Sequence, residues 1–328
     1  MRNNTQQKQH TPELQPRDKA VMRDLIDSRV MKLSQISALH FDGKAPYAQK
    51  RVLKLKRAGY INERVPENRG RVYPSLLSLS RRGFAAFAND NELGSIDARW
   101  SDLEGRLAKI SESTLDHEID VVDMKIALVN AVKAIPSLQL DEFSTYPKRF
   151  EFLTEHIGLE RAHVLKPDGY AQITRADGRA ETLYMEWDKS TEAHKTLGIK
   201  AFGYKAWRDS GAFSLWNGGT VEDRDQYSFR ALFVLPNDER RNNTAEHLLR
   251  LAHPKTGARL RNEIWLTTHA EFLARPLGPI FVTLGAYKRA TAGTPFDPGD
   301  HKAMMRVLAR DRLVAERLVK IQLLGGVS

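Results

Sequence analysis

Three acidic residues stand in a short stretch with spacing that suits phosphate chemistry. Asp168 lies in the bend Lys166-Pro167-Asp168-Gly169, and Glu186 and Asp188 lie two apart in an alternating run, Thr182 to Lys189. In an extended strand, alternate side chains share a face. Leu183, Met185 and Trp187 therefore take one face, and Tyr184, Glu186 and Asp188 take the other. Asp177-Gly178 predicts a two-residue hairpin turn that brings the strand after Asp168 beside the strand carrying Glu186. Carboxylates gathered on one face repel unless a proton or cation joins them. A hard divalent cation, Mg²⁺ or Mn²⁺, satisfies them and can bind a phosphate oxygen, which makes Asp168, Glu186 and Asp188 candidate metal ligands. A helix predicted over Glu192 to Arg208, capped by Ser190 or Thr191, carries Lys200 and Tyr204 four apart on one side. Lys200 is a candidate for offsetting charge at a scissile phosphate. The competing reading is a common Pro-Asp-Gly turn and a solvated strand face.

These residues sit in a chain of 328, long enough for about two domains, with 41% hydrophobic and 28% charged residues. It contains no cysteine, which excludes disulfides and thiolate zinc sites and fits a reducing cytoplasm. No apolar run is long enough for a membrane-spanning helix. Met1 to Gln15 lacks the apolar core of a signal peptide and reads as a disordered arm over 1–15. There is no phosphate-binding G-x-x-x-x-G-K-[ST] loop, and no His-hydrophobe-His strand of the two-histidine relaxase type.

The net charge of +10 is unevenly placed. Residues 1–90 hold 18 Lys+Arg against 8 Asp+Glu; with totals of 51 and 41, the remainder holds 33 of each. An excess confined to one segment points to a polyanion there, because neutralising phosphates releases counterions. The elements of 16–90 agree. Helices are predicted over Pro16 to Val30, from a cap at Ser34 to Leu39, and over Ala45 to Ala58 before Gly59. Strands follow over Tyr60 to Val65 and Val72 to Leu79, joined by the tip Asn68-Arg69-Gly70-Arg71, and a closing helix runs over Arg81 to Asp90. This order is that of a winged helix-turn-helix. Its third helix offers Gln49, Lys50, Arg51, Lys54 and Arg57 to the major groove of double-stranded DNA, and its wing offers Arg69 and Arg71 to backbone or minor groove. Such domains also dock proteins, so fold alone does not decide the partner.

A polar linker is placed at 91–110 and a second domain at 111–328. That domain opens with a mostly buried helix, about Ser113 to Ile135, whose start bears His117 and Glu118. Strands over Ala162 to Leu165, Tyr170 to Thr174, Thr182 to Lys189, Tyr227 to Leu235, Ile264 to Thr268 and Pro279 to Leu284 suggest one sheet begun at residue 162. Asn237 to Asn243 reads as a solvated loop or helix start, Ala290 to Asp300 as a flexible loop, and Lys302 to Leu324 as an amphipathic helix that packs on the core or docks a partner such as a coupling protein.

The run Pro167-Asp168-Gly169 … Met185-Glu186-Trp187-Asp188-Lys189-Ser190-Thr191 … Lys200-Ala201-Phe202-Gly203-Tyr204 resembles the signature of the replication-relaxation family, over roughly residues 15–210. That family is similar to MobC-type plasmid mobilisation relaxases. The resemblance implies an α/β (α+β) chain: a winged helix followed by a PD-(D/E)xK nuclease-like domain, a mixed sheet flanked by helices. It implies nicking at a plasmid transfer origin with other relaxosome proteins, and Asp168 and Glu186 as metal ligands. One departure stands out. Where such a site expects lysine two residues after the acid, this chain has Asp188. The lysine is then either moved to Lys200, or the site is altered and the protein is a non-catalytic DNA-binding accessory or regulator. His117 is either an outer member of the site or an ordinary polar residue at a helix start.

Overall fold

The computed structural model describes residues 12–65, 73–90, 96–108, 110–145, 152–154, 163–190, 192–251, 263–292 and 303–324. The fold is mixed α/β; the described residues hold twelve α-helices and twelve strands, seven of the strands in one sheet. The chain divides into two compact units, residues 1–126 and 127–328. No helix among the described residues is long and apolar enough to cross a membrane.

The first unit runs α1 (Pro16–Ser28), β1 (Met31–Lys32), α2 (Leu33–His40), α3 (Ala45–Arg57), β2 (Ile61–Arg64), β3 (Leu76–Leu79), α4 (Arg81–Asp90), α5 (Ile96–Ala108) and the start of α6 (Glu112–Lys133). Pro16 sits in the first turn of α1, where its missing N–H leaves no bond unmade. Ser34 lies inside α2, and the residue that closes this helix start is Gln35, whose Oε1 accepts the Lys32 N–H at 2.9 Å. Ala48, Val52 and Leu55 give α3 its buried side, and Gly59 ends it at φ 75°, a left-handed conformation that favours glycine. The sheet is antiparallel in the order β1-β3-β2. Arg69 and Arg71, expected at the tip of the wing, and most of the expected arm at 1–15 lie outside the described residues.

Instead of a linker at 91–110, the structure has α5, and the unit extends well past residue 90. Polar ties explain the extension. Arg106 donates to the carbonyls of Ile26 and Asp27, Gln35 Nε2 donates to the Ile119 carbonyl at 2.9 Å, and the buried Lys125 ammonium reaches Asp24 at 2.9 Å. Periodicity does not register such bonds, which span 79 to 101 residues of chain.

The second unit contains the end of α6, then β4 (Leu138–Ser144), β5 (Phe152–Thr154), β6 (His163–Leu165), β7 (Gly169–Arg175), β8 (Ala180–Trp187), α7 (His194–Asp209), α8 (Ala212–Trp216), β9 (Phe229–Leu235), α9 (Asp238–Leu251), β10 (Ile264–Thr268), α10 (His269–Ala274), β11 (Pro279–Thr283), α11 (Leu284–Ala290), α12 (Ala303–Arg317) and β12 (Ile321–Gln322). The large sheet has the order β12-β11-β10-β9-β8-β7-β4. Strands β8, β9 and β10 pair in parallel, and the outer pairings are antiparallel. Parallel strands are covered on both faces, so they read as continuous apolar runs, and β9 (Phe-Arg-Ala-Leu-Phe-Val-Leu) is one. Tyr184, Phe233, Leu266, Tyr204 and Leu248 form the centre of one core cluster.

Three expectations change here, and one open alternative is decided. Among the described residues, strand β6 pairs only with β5, in a separate ribbon, so the large sheet does not begin at residue 162; its edge is β4, which the sequence reading left unassigned. The hairpin loop has three residues, 176–178, between the bonded Arg175 and Arg179, one more than an Asp-Gly turn predicts, with Gly178 at φ 82°. Of the two alternatives for Asn237 to Asn243 the helix start holds: Asp238 to Asn243 open α9, with Arg241 and Asn242 buried rather than solvated. The last helix stops at Arg317, and Ile321–Gln322 pair with β11. Most of the predicted loop at Ala290 to Asp300 lies outside the described residues.

Candidate functional site

Antiparallel pairing of Gly169 with Met185 sets the site. One step beyond that pair, Asp168 and Glu186 meet at the open end of the β7–β8 hairpin. The Asp168 N–H donates to the Met185 carbonyl at 3.0 Å, and the Asp168 carboxylate accepts the Trp187 N–H at 2.8 Å. Asp168 is half-buried, whereas Glu186 is 1% exposed. The solvated strand face is therefore excluded for Glu186.

Helix α7 covers this carboxylate. Lys200 and Tyr204, one turn apart, both reach Glu186: Lys200 Nζ donates to Oε2 at 2.9 Å and Tyr204 O–H donates to Oε1 at 2.6 Å. Lys200 also donates to Glu192 at 2.9 Å. Helix α7 starts after Ala193, which makes no side-chain cap, so Ser190 is not at the N-cap; Thr191 lies outside the described residues. Burial pushes the Glu186 carboxyl up to about 7; Asp168 adds to this, and Lys200 and Tyr204 oppose it. Lys200 is held charged well above its ordinary value because the neighbouring acids outweigh its own burial. Burial, with Glu186 next, raises the Tyr204 phenol far above its ordinary range, so it is a hydrogen-bond donor rather than a phenolate.

Asp188 goes elsewhere. It is buried, its Oδ2 accepts from Arg240 Nε at 2.7 Å, and its Oδ1 accepts the Ser190 N–H at 3.0 Å. Arg240, on α9, also donates to the Glu192 carbonyl and lies 3.2 Å from His194 Nε2. A protein cation thus neutralises the acid that stands where the resemblance expects lysine. Among the described residues, no three His, Asp or Glu side chains gather into a group able to hold a metal. The three-carboxylate ligand set does not form. Asp168 and Glu186 are hard oxygen donors of the kind a divalent cation takes, and both Glu186 oxygens already accept hydrogen bonds from Lys200 and Tyr204.

The remaining candidates divide. On α3, Gln49, Lys50, Lys54 and Arg57 are exposed. Arg51 is not available in the same way: its guanidinium grips buried Asp18, with Nε donating at 2.8 Å, and also donates to the Glu13 carbonyl. His117 lies on the part of α6 that belongs to the first unit, beside Glu118, which pairs with Arg29. Arg240 was missed because its neighbours Glu239 and Arg241 gave the segment a solvated look.

A family model described as replication-relaxation matches residues 22–222, more than half of the chain. No curated protein matches it.

Proposed function

From the premise that the chain belongs to the replication-relaxation family, we propose that it acts on plasmid DNA in replication or mobilisation. In this reading the first unit docks double-stranded DNA, and the second nicks one strand at a transfer origin. The order helix, helix, basic helix and two-stranded hairpin supports a winged helix, with α3 as the helix that enters the major groove. The exposed Lys50, Lys54 and Arg57 meet phosphate or base edges there. A mixed sheet flanked by helices, with Pro167-Asp168 opening one strand of a hairpin and Glu186 near the end of the other, supports a PD-(D/E)xK-like second domain.

The observation that carries catalysis is Asp168 beside Glu186, with Lys200 bonded to Glu186 from α7. Asp168 and Glu186 would hold Mg²⁺ or Mn²⁺, which supplies Lewis-acid activation of a phosphate oxygen or of water. Lys200 supplies positive charge for the phosphate that is attacked. Supercoiled plasmid bearing the cognate origin, incubated with the protein and Mn²⁺, tests this. Open circles are expected with wild type and are lost with Asp168→Ala and Glu186→Gln. Nicking that survives either change refutes it.

The Asp188–Arg240 pair favours a second reading, a DNA-binding accessory whose nuclease-like unit does not cut. Calorimetry separates the two. Saturable Mn²⁺ binding abolished by Glu186→Gln belongs to the first reading, and no binding belongs to the second.

A further inference from the structure

Helix α3 carries two large side chains that the packing of the first unit does not use. Tyr47 is 68% exposed and Leu53 is 42% exposed, although Ala48, Val52 and Leu55 on the same helix are buried. Single exposed apolar residues are ordinary. Here the placement is what matters. Tyr47, Lys50 and Leu53 follow one another at three-residue intervals, so their side chains adjoin along the helix surface. Exposed Lys54 and Arg57 belong to the same outward arc, and α3 contains no acidic residue. A polyanionic partner fits such a face. A purely phosphate-binding surface has no use for the Leu53 isobutyl group or for the face of the Tyr47 ring, although the Tyr47 hydroxyl alone could donate to a phosphate, a contact that carries no sequence information. The major groove of duplex DNA offers one prominent apolar feature, the C5 methyl of thymine.

We propose that Tyr47 and Leu53 read thymine methyl groups on either side of the Lys50 contact, making them specificity determinants of the DNA site. This rests on the reading of α3 as the groove-entering helix. Lys50, Lys54 and Arg57 then supply attraction and register, and the two apolar side chains supply preference. The bound sequence carries thymines spaced to match one and two helical steps along α3.

The test uses the full chain. A preferred duplex is selected from a random pool, and affinity is measured by fluorescence anisotropy on that duplex and on copies in which each thymine is replaced in turn by deoxyuridine, which lacks only the methyl. Wild type is expected to lose about fourfold in affinity at each contacted position, the ratio that burial of one methyl group gives. Tyr47→Ala and Leu53→Ala should each weaken binding to the thymine duplex and become indifferent to deoxyuridine at one position. Both side chains face water, so the variants should melt like wild type; Tyr47→Phe, which keeps the ring, should retain the discrimination. The proposal is overturned if wild type binds all the duplexes equally, if selection returns no preferred sequence, or if the alanine variants keep wild-type sensitivity to the methyl. Lys54→Glu separates this from failure of the underlying reading. If it weakens binding to every duplex, the role of α3 stands whatever the methyl result; if it binds as wild type does, that role itself is wrong.

Discussion

In the first unit, three of the candidate cations on α3 face water; in the second, Lys200 and Arg240 face buried acids. Lys50, Lys54 and Arg57 are free to exchange partners, and this suits binding to a polyanion whose affinity depends on salt. Lys200 and Arg240 are committed to Glu186 and Asp188, which are 1% and 4% exposed. Removing a cation of the first kind leaves no buried acid without a partner, and in the proposed reading it weakens DNA binding. Removing one of the second kind changes whether the fold holds, because the acid left behind is buried and uncompensated. Arg51 is the exception that makes the rule useful: it lies on α3, the helix proposed to meet DNA, but belongs with the buried pairs.

Arg51 gives the largest expected effect. Arg51→Ala strands Asp18, which is 1% exposed, and should cost about 3–5 kcal/mol in urea unfolding, whereas Lys54→Ala should stay within about 0.5 kcal/mol. Equal stabilities for the two variants would erase the contrast. Next is the pH dependence of Glu186. Its carboxyl is held up to about 7 in the fold, against an ordinary 4.5, so between these values the folded state keeps a proton that the unfolded chain releases. This contribution to stability is fully present below about pH 4.5 and is lost as pH rises to about 7, a change on the order of 3 kcal/mol. The difference between wild type and Glu186→Gln, measured by urea melts across that window, should trace it; a constant difference would mean that Lys200 fully compensates the buried charge. Tyr204→Phe comes last. It removes the donor to Glu186 Oε1 and should cost about 1–3 kcal/mol. An unchanged melting curve would make the Tyr204 hydroxyl dispensable.

What could be read from the sequence depended on how local the cause was. Alternation over Thr182 to Lys189 placed Glu186 and Asp188 on the same side, and four-residue spacing placed Lys200 beside Tyr204; both follow from the geometry of a single element. Strands β10 and β11 were visible because their apolar runs are short and bounded by polar residues. Arg240 was not visible, since it meets Asp188 across 52 residues of chain. The same holds for Arg51, whose partner is 33 residues away and looks from sequence like an ordinary first-turn acid. Helix α5 was hidden by the polar residues that lead into it. The metal-ligand set was overcounted for a related reason: sequence shows which carboxylates share a strand face, but not which of them a distant arginine has claimed.

The position of β9 has a practical consequence. The family match ends at residue 222, and β9 begins at Phe229, yet β9 lies between β8 and β10 in the interior of the sheet. A chain cut where the match ends would leave β8 with an unsatisfied ladder of backbone donors and acceptors along a strand whose last six residues are buried in the whole protein. Such an edge recruits strands from other molecules. A fragment trimmed to the recognisable family region should therefore precipitate, and its insolubility would say nothing about the activity of the intact protein.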